Sequence, residues 1–237
     1  MSLRMAIGRQ GGVVLLAGAL VILPGLAVDA RAAGSDDGAS RPADLIRASV
    51  ARVQQVVRST PGRGSETERA EIREIAETMF DFEAMSQRIL ARHWNEGTPE
   101  QQREFVRLFT NLLARTYIDV IVRAVSVSAT VDGESIEGPY ARVRTRMGGD
   151  VGPAVSIDYR LFQHGKRWAV YDVVHEGVSL VANYRSQFGS VLGTSSFAGV
   201  LERMRINESQ ARGRPETAAA LGKRLLLFSV VAERGAR

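Results

Sequence analysis

The stretch Asp158–Phe188, DYRLFQHGKRWAVYDVVHEGVSLVANYRSQF, decides the fold, because it holds a β-hairpin and the helix that follows it. Val155, Ile157, Tyr159 and Leu161 alternate with Ser156, Asp158 and Arg160, the period-2 pattern of a strand with one buried face. Gln163 to Lys166 is the expected turn. The return strand, Trp168 to Val174, is apolar on both faces, with Trp168, Val170 and Val174 on one side and Ala169, Tyr171 and Val173 on the other. Such a strand is expected to be covered on both sides. His175-Glu176-Gly177 breaks the ladder, and Leu180, Val181, Tyr184 and Phe188 then recur at helical spacing.

Working outward, Pro42 opens a helix with Leu45, Ile46, Val50, Val53 and Val57 on one stripe. Ser65-Glu66-Thr67-Glu68 is a capping box before a helix that buries Ile72, Ile75, Ala76 and Met79. Phe80-Asp81-Phe82 is a corner, with Asp81 as cap for a helix carrying Met85, Ile89 and Leu90. Thr98-Pro99-Glu100-Gln101 is the clearest helix start, with a capping threonine, proline at the first helical position and glutamine completing the box. Apolar residues from Phe105 to Ile121 follow at spacings of three and four, the mark of one long helix.

Val125 to Val131 and Tyr140 to Met147 alternate as strands, and Gly148-Gly149 turns the chain into the hairpin. Ser195 or Ser196 caps a short helix through Val200, Leu201 and Met204. The order predicts an α+β fold: N-terminal helices including one long helix, a twisted antiparallel meander of about four strands, then C-terminal helices. A sheet wrapped round the long helix would leave room for an apolar cavity.

The N-terminus reads as an export signal. Arg4 and Arg9 form a basic start, Val13 to Leu23 an apolar run broken by Pro24-Gly25, and Ala30-Arg31-Ala32 a small-x-small cleavage site. Residues 1–32 are thus an expected signal peptide and 33–41 a linker, followed by a domain over 42–206. Residues 207–237 form an extension that begins as a polar linker and ends in the apolar run Leu221 to Val231. Loss of residues 1–30, which hold Arg4, Arg9 and Asp29, lowers the formal charge from +5 to +4. The basic charge is spread along the chain, without the dense lysine and arginine runs or interleaved aromatics of a nucleic-acid site. No nucleic-acid partner is expected.

Catalytic constellations are missing. There is no cysteine, and His93, His164 and His175 lie too far apart for an HExxH zinc site. Gly177-Val178-Ser179-Leu180-Val181 lacks the second glycine of a nucleophile elbow. Asp158, Asp172 and Glu176 are close enough in sequence to pair, and bonding to nearby arginines is the simpler role. No metal, cofactor or enzymatic activity is expected. His93-Trp94 fits either a ring pair at a cavity mouth or a helix end in which Trp94 packs and His93 caps. Arg185 fits either a tie to a carboxylate or a bidentate grip on phosphate. Arg142, Arg144 and Arg146 form one row on a strand face, solvated or docked on an acidic partner.

Two blocks carry a family likeness. YRL...W.VYDV..EGVSLV.NYRSQF, and upstream IAETMFDFEAMSQRILARHWNEGTPEQQREFVRLFTNLLARTYIDVI, together resemble the MlaC family of periplasmic phospholipid-binding proteins, the toluene-tolerance auxiliary family, over about residues 42–206. The resemblance implies a periplasmic lipid carrier working between an outer-membrane lipoprotein-porin complex and an inner-membrane ABC transporter bearing MCE domains. It implies phospholipid as ligand; a hopanoid-type cargo, or an adaptor with a filled core, are the alternatives. On this likeness the expected cavity walls are Met85, Ile89, Phe105, Leu108, Leu112, Tyr117, Val155, Ile157, Tyr159, Val170, Val178 and Tyr184. Arg185, Arg142 and Arg144 are the expected headgroup or partner contacts.

Overall fold

The structure, a computed structural model, describes residues 41–59, 64–124, 129–148 and 154–212. The expected signal peptide, nearly all of the linker after it, the start of the first strand at 125–128, Gly149 and the run Leu221 to Val231 lie outside the described residues.

Helices α1 (Pro42–Ser59), α2 (Glu66–Met79) and α3 (Phe82–Leu90) come first, and a 3-10 turn, Ala91–Glu96, leads to α4 (Pro99–Ala124). Each start has a local cause. The Thr98 box is reciprocal: Gln101 N donates to Thr98 Oγ1 at 3.3 Å and Thr98 N to Gln101 Oε1 at 3.0 Å. Ser65 Oγ accepts from Glu68 N at 3.2 Å, while the Glu68 carboxylate reaches back to the backbone N–H of Gly64. Asp81 caps α3 through Ala84 N at 2.7 Å and ties it to the sheet, because Asp81 N donates to Val170 O at 2.9 Å. The 26 residues of α4 give it a length of about 39 Å.

Strands β1 (Ala129–Glu137), β2 (Tyr140–Met147), β3 (Val155–His164), β4 (Arg167–His175) and β5 (Val178–Ser179) form one antiparallel sheet in chain order. The meander of about four strands thus gains a two-residue fifth. The β3–β4 turn is only Gly165-Lys166, shorter than expected, with Gly165 at φ +59°. The β4–β5 turn places Glu176 and Gly177 at φ +47° and +80°, the paired left-handed residues of a tight hairpin turn. Helices α5 (Leu180–Leu192) and α6 (Phe197–Arg212) close the fold.

A bulge in β4 changes the expected facing of that strand. Arg160 pairs with Asp172 and Leu161 with Val170, so Tyr171 is the extra residue. Val173 therefore shares the face of Val170, opposite Tyr159, while Val174 shares the face of Asp172 and sits opposite Asp158. The simple alternation across Trp168 to Val174 is wrong beyond this point.

α1 covers the apolar face of β1 and β2: Ala43 and Ile46 pack with Ala141, Val143, Leu161 and Val170. Because α1 occupies this place, α4 lies mainly against α2, α3 and α6, and the sheet is not wrapped round it. On the other face, α3 and α5 reach the sheet at β4. Here Asp172, 2% exposed, accepts from Arg160 Nη1 at 3.1 Å, Ser179 Oγ at 2.7 Å and the α5 backbone Val181 N at 3.0 Å. Ser179 Oγ in turn accepts from Ala182 N at 3.0 Å. Strand and helix N-terminus are thus joined through one carboxylate.

The expected short last helix runs on to Arg212, so the polar linker expected after Ile206 is helical for its first six residues. Ser196, of the two candidate caps, accepts from Gly199 N at 3.1 Å. Glu208 is buried against α4, where it accepts from Asn111 Nδ2 at 2.6 Å and pairs with Arg107 and Arg115 at 3.4 and 3.5 Å. Burial works to raise its pKa, but the Asn111 bond and the two arginines outweigh it and hold the carboxyl below its ordinary value.

Asp172→Ala is expected to lower the unfolding free energy by about 3 kcal/mol, seen as an earlier denaturant midpoint at unchanged slope. A loss under about 1 kcal/mol would remove Asp172 from this role. A chain ended after Asn207 should be about 2 kcal/mol less stable than one ended after Arg212, for want of Glu208. Because the native pKa of Glu208 is depressed, that difference is present at neutral pH and shrinks as pH falls below the ordinary carboxylate value of 4.5. Equal stability of the two truncations across this range would contradict the assignment.

Candidate functional site

Among the described residues the buried apolar side chains fall into three clusters, and half-buried Phe80 packs against the first two. A first cluster is wholly helical and joins Met85, Ile89, Phe105, Leu108, Phe109, Val181, Tyr184 and Leu201 from α3, α4, α5 and α6. A second lies between α1 and the sheet and includes Val143, Leu161, Trp168 and Val170. The third brings Val56, Val57, Ile72, Ile75, Ile118 and Val122 of α1, α2 and α4 together. Half-buried apolar residues fringe these clusters: Leu112, Tyr117 and Leu180 on the first, Val50, Tyr159 and Val173 on the second, Val53 on the third.

This division sorts the residues singled out as walls. Met85, Ile89, Phe105, Leu108, Val170 and Tyr184 are buried inside the clusters. Leu112, Tyr117, Val155, Ile157 and Tyr159 are half-buried, and Val178 is 52% exposed. Val50, Val53, Val173 and Leu180 are half-buried residues that sequence reading did not single out as walls. The first two stand on the apolar stripe of α1, and that stripe was the available signal.

Tyr159 is the informative member. It is half-buried by surface, yet burial alone pushes its phenol up to about 12, from the ordinary value of 10. Tyr184 lies within the helical cluster and Tyr117 packs against it. Burial, foremost, raises both phenols above the ordinary range.

The basic candidates separate as well. Arg185 Nε donates to the carbonyl of Arg88 at 2.7 Å, so it caps the end of α3 instead of meeting a carboxylate on the sheet. Arg142 is bonded to Asp158 through two nitrogens, and Arg146 pairs with Asp132 at 2.6 Å. Arg144 is exposed and has no ion pair among the described residues. The carboxylates weighed for catalysis have structural partners: Asp158 holds Arg142, Asp172 holds α5, and Glu176 Oε1 accepts from Ser156 N at 2.6 Å. Trp94 packs on the helical cluster, as the helix-end reading has it, whereas His93 Nδ1 lies 2.7 Å from the Glu96 carboxylate instead of capping a carbonyl.

A broad depression of about 590 Å³ lies elsewhere, lined by Phe80, Phe82, Arg73, Arg107, His164 and Arg167 among others. Its charges are largely paired, as Arg73 with Glu77 at 2.9 Å and His164 with Asp81 at 3.2 Å.

The family model for the MlaC protein matches residues 47–206, most of the chain, and the chain belongs to the MlaC family. It is 25% identical over 116 residues to the toluene tolerance protein ttg2D of Pseudomonas putida. The match takes in 48% of this chain and about half, 54%, of the length of that relative. The fold is shared with the phospholipid-binding protein of Ralstonia solanacearum, solved in complex with a phospholipid at 1.53 Å, at a TM-score of 0.67 and 22% identity. The likeness covers 72% of this chain and 98% of that one.

An ultraviolet pH titration is expected to show a phenol that ionises near pH 12 and is absent from Tyr159→Phe. Since the folded pKa is raised above the unfolded one, the contribution of Tyr159 to stability is complete below pH 10 and lost as pH rises from 10 toward 12. Tyr159→Phe should soften the alkaline fall in stability. Loss of a phenol near pH 10 instead of near pH 12 in Tyr159→Phe would place Tyr159 in water.

Proposed function

We propose that this protein is an exported, periplasmic phospholipid carrier that hides acyl chains in an apolar recess and moves lipid between the outer and inner membranes. Membership of the MlaC family supports the lipid-binding part of this reading, and the phospholipid bound by the Ralstonia neighbour gives the ligand class. The observation that carries the site is the divided interior, with half-buried apolar side chains fringing each cluster.

Physical chemistry supplies the need. Two acyl chains hold about thirty methylenes, and at about 0.8 kcal/mol each their exposure costs roughly 20 kcal/mol or more. A lipid essentially cannot cross an aqueous gap unshielded. We place the acyl chains against Leu112, Tyr117, Ile157 and Tyr159, with Val155 and Val178 toward the opening, where the headgroup stays in water. Met85, Ile89, Phe105, Leu108, Val170 and Tyr184 support these walls from behind. The work is binding and release, so no covalent step, cofactor or metal is involved. Its partners in this reading are the inner-membrane ABC transporter with MCE domains and the outer-membrane lipoprotein-porin complex.

Organic extraction of the purified protein followed by mass spectrometry is expected to recover about one diacyl phospholipid per chain. A polycyclic lipid in its place would reassign the cargo. Protein without lipid that also cannot be loaded from liposomes would leave an adaptor with a filled core. Leu112→Asp and Ile157→Asp should abolish lipid recovery, because a charge there loses hydration without gaining a partner. In lipid-free protein Leu108→Ala should cost about 2 to 5 kcal/mol as a core truncation, and Leu112→Ala markedly less. Equal large losses for both, with wild-type lipid content, would sink the recess at Leu112.

A further inference from the structure

The sheet has one face that the helices leave largely open. On the opposite face α1 packs over β1 and β2; on this one the main contacts of α3 and α5 with the sheet are at β4 and β5. Arg142, Arg144 and Arg146 of β2 project here, all exposed, beside Arg160 of β3. Arg142 stands directly opposite Arg160, and like charges at opposed positions in a sheet repel. Asp158 and Asp172, 6% and 2% exposed, offset this by holding Arg142 and Arg160. The acids are hidden while the guanidinium groups remain half-exposed, at 50% and 43% of their side chains. The positive ends of these two ion pairs therefore face water.

An aromatic platform borders the arginine row. Tyr140, 45% exposed, has ring centroids of Phe162 and Tyr171 at 5.1 and 6.2 Å. Arg88 lies over the Tyr171 ring at 4.3 Å. Asp132, paired with Arg146, and Glu137 at the end of β1 are acidic residues on the outer strand.

We propose that this face, formed by β2 and β3, docks on the anionic surface of a phospholipid bilayer. The proposal rests on the carrier reading, since a carrier must meet a membrane or its proteins to load and unload. Two features favour a bilayer over an acidic protein. The groups that the row turns to water are guanidinium groups, with Asp132 and Glu137 only at its outer edge, and guanidinium forks grip lipid phosphates in bidentate fashion. The exposed tyrosine beside it has the amphipathic character of residues at the headgroup level.

The test is cosedimentation of the purified protein with vesicles of phosphatidylglycerol and phosphatidylcholine in equal parts, and with phosphatidylcholine alone. Binding is expected only to the anionic vesicles, and it should fade in about 0.5 M salt. Arg144→Gln and Arg146→Gln should each lower the partition coefficient about fivefold, and the pair about twenty-five-fold. Arg144 has no ion pair to lose and the Arg146–Asp132 pair is exposed, so folding should survive, as unchanged thermal melting would confirm. Tyr140→Ser should weaken binding without changing its salt dependence. Equal binding to both vesicle types, no binding to either, or a double variant that binds like wild type would overturn the proposal. Variant-sensitive binding to poly-L-glutamate without vesicle binding would overturn it in favour of an acidic protein. Lipid recovered by mass spectrometry is read separately: its absence from wild type would strike the carrier reading, whereas loss of docking with bound lipid retained concerns this face alone.

Discussion

The fold depends most on the buried carboxylate of Asp172. It stands on β4 just after the extra residue Tyr171, so the bulge aims it at Arg160 and at the first turn of α5. Three donors converge on its two oxygens, and the hydroxyl among them, that of Ser179, accepts in turn from the α5 backbone. Little of this network reaches water, which makes each bond costly to lose and fixes the direction in which α5 leaves the sheet. The position of α5 then sets that of Val181 and Tyr184 within the helical cluster.

A related economy governs the sheet's basic face. Asp158 and Asp172 each neutralise one arginine from beneath, so Arg142 and Arg160 tolerate their opposed register and keep half their side-chain surface in water. Structure and surface chemistry are served by the same ion pairs. Asp158 retains one buried oxygen without a hydrogen bond, and the exposed Arg144 is its directly opposed neighbour on β2.

The division of the interior has a similar logic. α1 takes the apolar face of β1 and β2, while the helices from α3 to α6 bury most of their apolar residues among themselves. Residues such as Leu112, Tyr117 and Tyr159 are left with protein on one side and incomplete coverage on the other. In an ordinary core such positions would forfeit part of their dispersion contacts. Under the proposed carrier function, two long acyl chains would restore them, and the incompleteness that weakens the empty protein would favour the loaded one.

Much of this protein was written locally. The Thr98 box, the Asp81 cap, the Ser65 hydroxyl bond and the period-2 strands involve residues within a few positions of one another, and backbone hydrogen bonding and steric preference determine them without reference to the rest of the chain; the Glu176-Gly177 segment, read as a break in the ladder, is instead the turn that pairs β5 with β4. The two sequence blocks also sufficed for the family. Tertiary structure decided what depends on distant partners. The Tyr171 bulge reassigned Val173 and Val174, because β4 must meet β3 and α5 at once. Burial of Asp158 on a face that reads as solvated came from its pairing with Arg142 across the strands. The continuation of α6 came from Glu208 reaching Asn111, Arg107 and Arg115 about a hundred residues away. Leu108 and Leu112 lie on the same apolar stripe of α4, and only the docking of the other helices made one a core residue and left the other half-covered.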